Sequence, residues 1–133
     1  MTYLTTRARF CAAKKLWNPA LSEEENRRAF GPCARTHGHD YLVEATLRGD
    51  PDPRTGLLYD ILKLREILDR KVVGRLDHTE LDRETDFLKG SVATVEALAR
   101  RIHEALAAEL PPGLLHEVKV WESEEACAAF REE

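Results

Sequence analysis

The residues Cys33-Ala-Arg-Thr-His37-Gly38-His39-Asp-Tyr41 place a thiol and two alternating imidazoles where an apolar strand begins. Side chains two apart on a strand share a face, with roughly 6.5–7 Å between their roots. Two imidazoles so spaced can converge on one metal ion at bond lengths of about 2.0–2.1 Å. Gly38 leaves the position between them bare, open to a ligand or a neighbouring backbone. Cys33 lies four residues upstream of the pair, on the preceding turn and out of its register, where it could act as a separate acid–base group. A polar hairpin lip with scattered histidines has the same spacing, and spacing alone leaves both readings open.

Other polar positions could do chemistry. Asp77-His78 falls in a turn, Thr94-Val-Glu96 opens a helix, and Glu122-Ser123 ends a strand. Each also has a structural explanation. Asp77 can cap a turn, Glu96 can complement a helix dipole, and Glu122 can be a solvated strand end.

These residues need elements to position them. Tyr3 to Leu16 reads as a first strand, followed by a turn at Asn18-Pro19. Ser22-Glu-Glu-Glu25 is a capping box, predicting a short helix towards Phe30 that Gly31-Pro32 stops. Tyr41 to Leu47 is a second strand, ended by Gly49-Asp-Pro-Asp-Pro. Asp60 caps a helix with Ile61, Leu64, Ile67 and Leu68 on one face, and Gly74 is its expected stop. Ser91 or Thr94 opens another helix, whose apolar positions run Val95, Leu98, Ala99, Ile102 and Leu106 until Pro111-Pro112-Gly113. Leu115 to Trp121 and Cys127 to Phe130 complete a set of four strands. Two strands, two main helices and two strands predict an α+β fold with a small antiparallel sheet. Its long edges call for closure by a partner subunit, so an oligomer is expected.

With 133 residues the chain is expected to form one domain spanning 1–133, large enough to bury a core. Charged residues make up 33% and hydrophobic ones 43%, the balance of an ordinary globular protein. A net charge of -4 without a basic run argues against nucleic acid as a partner. No apolar stretch reaches the roughly 20 residues that span a bilayer. The first residues lack the apolar core of a signal peptide, and three scattered cysteines (Cys11, Cys33, Cys127) make no disulfide framework, so a reducing cytoplasm is expected.

Taken together and in order, Cys-x-x-x-His-Gly-His-x-Tyr, Leu-Asp-His, Thr-x-Glu and Val-Lys-Val-x-Glu resemble the 6-pyruvoyl-tetrahydropterin synthase / 6-carboxy-tetrahydropterin synthase family. The resemblance runs from Phe10 to Phe130. Leu21-Ser-Glu-Glu-Glu-Asn26 and Phe30-Gly-Pro-Cys33 look like its pyruvoyl branch, whereas the short gap from Cys33 to His37 looks like its carboxy branch. The resemblance implies the tunnelling fold (ββααββ), in which antiparallel sheets of neighbouring subunits join into a β-barrel with helices outside, and two trimers stack into a homo-hexamer. It implies a lyase acting on 7,8-dihydroneopterin triphosphate at subunit interfaces, in tetrahydrobiopterin or queuosine biosynthesis. By the same resemblance Cys33, Asp77 and His78 are catalytic, Thr94, Glu96 and Glu122 hold the pterin, and His37 and His39 are Zn2+ ligands. A carboxylate suits a planar N–H edge, which it grips in bidentate fashion. A thiol near a cation has its pKa lowered towards neutrality, where a general base works best. Pyruvoyl formation, carboxy formation and retro-aldol cleavage all remain open as outcomes.

The chain departs from the family at its third zinc ligand, a histidine in a Phe-x-Ala-x-His-x-Leu pattern. Here Phe10-Cys-Ala-Ala-Lys14-Lys15-Leu16 puts Lys14 at that position. Catalytic zinc keeps three protein ligands and one open position, and an ammonium has no lone pair to donate. Placed about 4 Å from zinc, it would repel the ion by about 8 kcal/mol at an effective dielectric of about 20. Four arrangements stay open: Lys14 turned away from a two-histidine site, Lys14 in the metal's place, a neutral Lys14 as ligand, or Cys11 as substitute. The last requires a residue whose odd offset points it to the opposite strand face. His103 and His116 read as satisfied structural histidines. Lys14, Lys15, Arg7, Arg9 and Arg35 could cradle a triphosphate or be plain surface charge. The rival function is a non-catalytic paralogue that binds a pterin or purine-like ligand.

Overall fold

The computed structural model describes residues 1–132. Its elements are β1 (Thr2–Lys14), α1 (Glu23–Phe30), β2 (His37–Gly49), α2 (Ile61–Leu68), β3 (Thr79–Glu80), α3 (Val95–Ala107), β4 (Leu115–Trp121) and β5 (Cys127–Arg131). The sheet order is β3-β1-β2-β4-β5. β1–β2, β2–β4 and β4–β5 pair antiparallel, whereas β3 runs parallel to β1 through Ala12–Thr79 and Ala13–Glu80. The expected four-stranded antiparallel sheet is therefore a mixed sheet of five strands. A two-residue strand carries no readable alternation. It exists because the turn after α2 delivers the His78 N–H to the Cys11 carbonyl at 2.6 Å and the Leu81 N–H to the Ala13 carbonyl at 2.8 Å.

β2 starts at His37, not at Tyr41, so the two imidazoles belong to the strand itself. The reason is its partner. β1 pairs with it along its whole length, from Thr2 opposite Gly49 to Lys14 opposite His37. Polar residues with weak strand preference are carried into the ladder by those hydrogen bonds.

α2 packs on β1, and α3 packs on β4 and β5, both on one side of the sheet. There Phe10, Tyr41, Val43, Leu47, Val118 and Val120 are buried beneath Leu64, Leu68, Leu98, Ile102 and Leu106. Full burial of each such side chain contributes about 1.5–3 kcal/mol. The opposite face carries Thr5, Arg7, Glu44, Thr46 and Trp121, none of them buried. Thr5 and Thr46 hydroxyls meet there at 2.8 Å, and the Trp121 indole N–H donates to Glu44 at 3.2 Å.

Ser22 and Glu25 form the expected capping box, and Asp60 accepts from the Leu62 N–H at 3.0 Å as a cap of α2. Gly74 does not stop that helix. The chain stays helical through a wider turn, Asp69–Val73, to Leu76, with Gly74 itself at φ -62. A Cβ at Gly74 would sit 3.2 Å from the Asp69 carbonyl oxygen, so the glycine serves a close approach and not a left-handed cap. Among the described residues no helix is long and apolar enough to cross a membrane.

Candidate functional site

The β1–β2 register sets Lys14 opposite His37 and Ala12 opposite His39. Even-numbered residues of β1 and odd-numbered residues of β2 share the helix-covered side, so Lys14, His37, His39 and Tyr41 gather at one end of one face. β4 adds Glu122, one residue beyond the Leu42–Trp121 pair and on the side of Val120.

Lys14 is only 2% exposed, and its ammonium donates to Glu122 Oε2 at 2.8 Å. The same oxygen lies 4.0 Å from His39 Nε2. The His37 and His39 rings stand edge to face with centroids 5.0 Å apart. His37 Nδ1–H donates to the Arg35 carbonyl at 2.7 Å, which leaves Nε2 as the lone-pair nitrogen. Burial, aided by the charge of Lys14 and opposed by that of Glu122, holds the His39 pKa below the usual imidazole value. Tyr41 stacks on Phe10 at 4.9 Å, lies 5.5 Å from the His39 ring, and has the Lys14 ammonium 5.8 Å from its centroid. Its hydroxyl is buried without a hydrogen-bond partner among the described residues, and burial together with Glu122 raises its pKa.

A zinc ion of the family's kind needs three lone-pair donors. His37 and His39 supply two, and the third position holds an ammonium. Lys14 is turned inward and ion-paired, not swung away to solvent. Cys11 lies on the opposite face, where its thiol donates to Asp40 Oδ1 at 2.8 Å. Among the described residues no group of three or more His, Cys, Asp or Glu side chains is placed to share a metal ion. This donor set does not fit a three-ligand zinc ion.

Asp77 and His78 do come together. The His78 imidazole meets Asp77 Oδ2 at 2.9 Å, and Asp77 Oδ1 accepts the Cys11 backbone N–H at 2.9 Å. Those hydrogen bonds, the backbone one foremost, hold the Asp77 carboxyl below the ordinary carboxylate range. His78 has φ 60, a left-handed conformation that a non-glycine residue adopts at some cost in strain. The His78 side chain is 80% exposed and lies at an open cleft of about 440 Å³ also lined by Cys11, Gly38, His39 and Asp40. A Cβ at Gly38 would meet only the Ala12 carbonyl at 3.9 Å. Packing inside the subunit therefore does not demand a glycine there.

Cys33 sits on a short 3-10 turn, Gly31–Ala34, exposed, with its carbonyl accepting the Leu16 N–H at 2.8 Å. No hydrogen bond or ion pair joins it to Asp77 or His78. Thr94 caps α3, its hydroxyl accepting from the Ala97 N–H at 3.1 Å, and Glu96 is exposed on the first turn. Neither is hydrogen-bonded to Glu122. Arg7 and Arg9 lie on the other face of β1 from Lys14, so one chain does not gather the five basic side chains into a single cradle. His103 is buried against Phe130 at 5.0 Å, and among the described residues its Nε2 lacks the hydrogen bond expected of a satisfied histidine. His116 packs against Tyr3 at 5.2 Å. Sequence reasoning did not single out the Lys14–Glu122 pair, whose members are 108 residues apart.

Sheet, helices and end-of-strand polar cluster define a tetrahydropterin-synthase type of subunit. The family described as 6-pyruvoyl tetrahydropterin synthase matches residues 3–133, and the chain belongs to that family. It is 37% identical to the 6-pyruvoyl tetrahydrobiopterin synthase of Drosophila melanogaster over 98% of this chain and 80% of the fly protein. The human protein of that name is 33% identical over 98% of this chain and 91% of its own length. A shorter match, 63% of this chain, links it at 34% identity to the 6-carboxy-5,6,7,8-tetrahydropterin synthase of Bacillus subtilis. The solved 6-pyruvoyl tetrahydropterin synthase of Caenorhabditis elegans superposes with a TM-score of 0.94 at 31% identity, covering 99% of this chain and 96% of that one.

Proposed function

We propose that this chain is one domain of a cytoplasmic homo-hexamer, a dimer of trimers, that binds 7,8-dihydroneopterin triphosphate and acts on it as a lyase. The observation that carries the reading is Glu122. Its Oε2 is held by Lys14 at 2.8 Å, while Oε1 has no partner among the described residues. A carboxylate has about four lone-pair sites, so one committed oxygen leaves the other free for the N–H edge of a pterin ring. The ring would then lie across the end of β2, beside His39 and Tyr41.

Both elimination of triphosphate and migration of a carbonyl require a proton to leave carbon and another to reach oxygen. The Asp77–His78 pair suits that shuttle, because a carboxylate at hydrogen-bond distance fixes the imidazole's orientation. Cys33 is the proposed base. No hydrogen bond joins it to Asp77–His78 within one subunit, so the complete set would assemble across a subunit interface. Thr94 and Glu96 belong to the same proposed pterin pocket.

Incubation of purified protein with 7,8-dihydroneopterin triphosphate, read by mass spectrometry, tests the reading. Loss of triphosphate from the substrate is expected, and the mass of the product names the branch. Failure of the protein to retain the substrate at all overturns it. The rival reading, a pterin-binding paralogue without chemistry, is favoured by the ammonium at the third-ligand position. It predicts bound substrate recovered intact.

A further inference from the structure

We propose that the buried ammonium of Lys14, braced by Glu122, takes the place of the divalent cation, so that this chain engages its ligand's oxygen-rich side chain with a fixed organic cation and no metal. The inference rests on the pterin reading above. Its first support is position. Lys14 faces His37 across the ladder and shares the helix-covered side with His39, so it holds the strand position from which a third ligand would reach the pair.

The second support is the way that charge is held. Lys14 is 2% exposed and its side chain reaches inward, which a lysine does only when its charge is compensated. Glu122 provides the compensation at 2.8 Å. An ammonium has three N–H donors, and the hydrogen bond to Glu122 uses one. The other two make no hydrogen bond within the described residues and remain for ligand oxygens. The third support is exclusion. A dication entering between His37 and His39 would find an ion-paired ammonium at the third position, with no lone pair to offer it as a ligand. Tyr41 adds a buried hydroxyl without a partner among the described residues, close enough to Glu122 to feel its charge.

An ammonium orients oxygens by hydrogen bonds but polarises them less than a bare dication. Ligand binding thus becomes independent of metal, while the acidification that a Lewis acid would supply is reduced.

The test combines zinc titration by calorimetry with binding of 7,8-dihydroneopterin triphosphate, followed by ring fluorescence with and without EDTA. The parent chain is expected to take up no stoichiometric zinc and to bind the pterin equally in either condition. Lys14→Met should bind it at least about tenfold more weakly. Lys14→His should gain one zinc per chain, and its pterin binding should fall in EDTA and return with zinc. Lys14→Arg, which keeps the charge, should retain chelator-insensitive binding and guards against a folding defect in the methionine variant. One tightly held zinc per parent chain, or EDTA-sensitive binding by the parent, would overturn the inference. A parent chain that binds no pterin at all overturns the pterin reading instead, and the zinc titrations of parent and Lys14→His still decide the exchange of cations.

Discussion

Glu122 has two carboxylate oxygens with different surroundings. Oε2 faces Lys14 and, at 4.0 Å, His39. Replacing it by glutamine keeps the shape and removes the charge. Glu122→Gln should weaken pterin binding about 10-fold or more, because hydrogen bonds to charged groups contribute about 1.5–3 kcal/mol. It should also cost about 3 kcal/mol of stability in urea unfolding, since Lys14 is left buried and unpaired. The double variant Lys14→Met/Glu122→Gln should recover most of that loss, as neither buried charge then lacks a partner. An additive double variant would mean the two side chains do not interact in solution. Tyr41→Phe removes a hydroxyl that makes no hydrogen bond to the described residues. Stability of the ligand-free protein should therefore change by less than about 1 kcal/mol, a small effect for a fully buried position.

At the scale of elements, single polar side chains decide how segments meet. Asn26 is fully buried at the start of the route from β1 to Cys33. Its Oδ1 accepts the Asn18 N–H at 2.7 Å, and its Nδ2 donates to the Asn18 and Ser22 carbonyls at 3.0 Å. Asn26→Ala should lower the urea midpoint substantially, because it orphans several backbone groups, each at about 1–3 kcal/mol. Thr94 has one visible role, the cap of α3. Thr94→Ala should cost about 1 kcal/mol of stability and Thr94→Ser should restore it. If Thr94 also meets the substrate across an interface, the alanine variant will show weaker substrate binding that the serine variant repairs.

For the whole molecule the informative variables are pH and association. Burial holds the His103 pKa below the ordinary imidazole value of 6.5. The unfolded chain takes up a proton there that the folded chain refuses, so this contribution is complete above pH 6.5 and declines as pH falls below it. Stability measured by urea unfolding should thus drop between pH 7 and pH 5, and His103→Gln should flatten that slope. Asp77, Glu25 and Glu109, whose carboxyls are held below their usual range, act in the same direction at lower pH. The sheet face with Thr5, Arg7, Glu44 and Trp121 lacks the helices that cover the other. Sedimentation equilibrium at micromolar concentration should give roughly six times the 15.1 kDa chain mass, as the hexamer proposal requires. A monomer would remove the partner from which the proposed site draws Cys33 or Asp77–His78.

Much of the architecture was legible before any coordinates. The caps Ser22 and Asp60 are legible from type and spacing, as is the choice between Ser91 and Thr94 that the fold resolves to Thr94, because a cap is a local contest for a few N–H groups. The apolar positions of α2 and α3 followed from helical periodicity for the same reason. β3 and the early start of β2 were not legible, since both are created by hydrogen bonds from β1 and not by their own residues. Gly74 misled because a glycine needed for close approach has the same letter as one needed for a left-handed turn.

Residue identity and spacing alone put the chemistry on offer: two imidazoles two residues apart, a thiol, an Asp-His pair, a glutamate at a strand end, and a lysine in place of a histidine. These are matters of covalent identity and short-range spacing. The folded chain adds that Lys14 turns inward to Glu122, that Cys11 faces away towards Asp40, and that no hydrogen bond links Cys33 to Asp77–His78 within one chain. Those outcomes depend on the register of β1 against β2 and on where β4 ends, relations between segments tens of residues apart that local spacing does not encode.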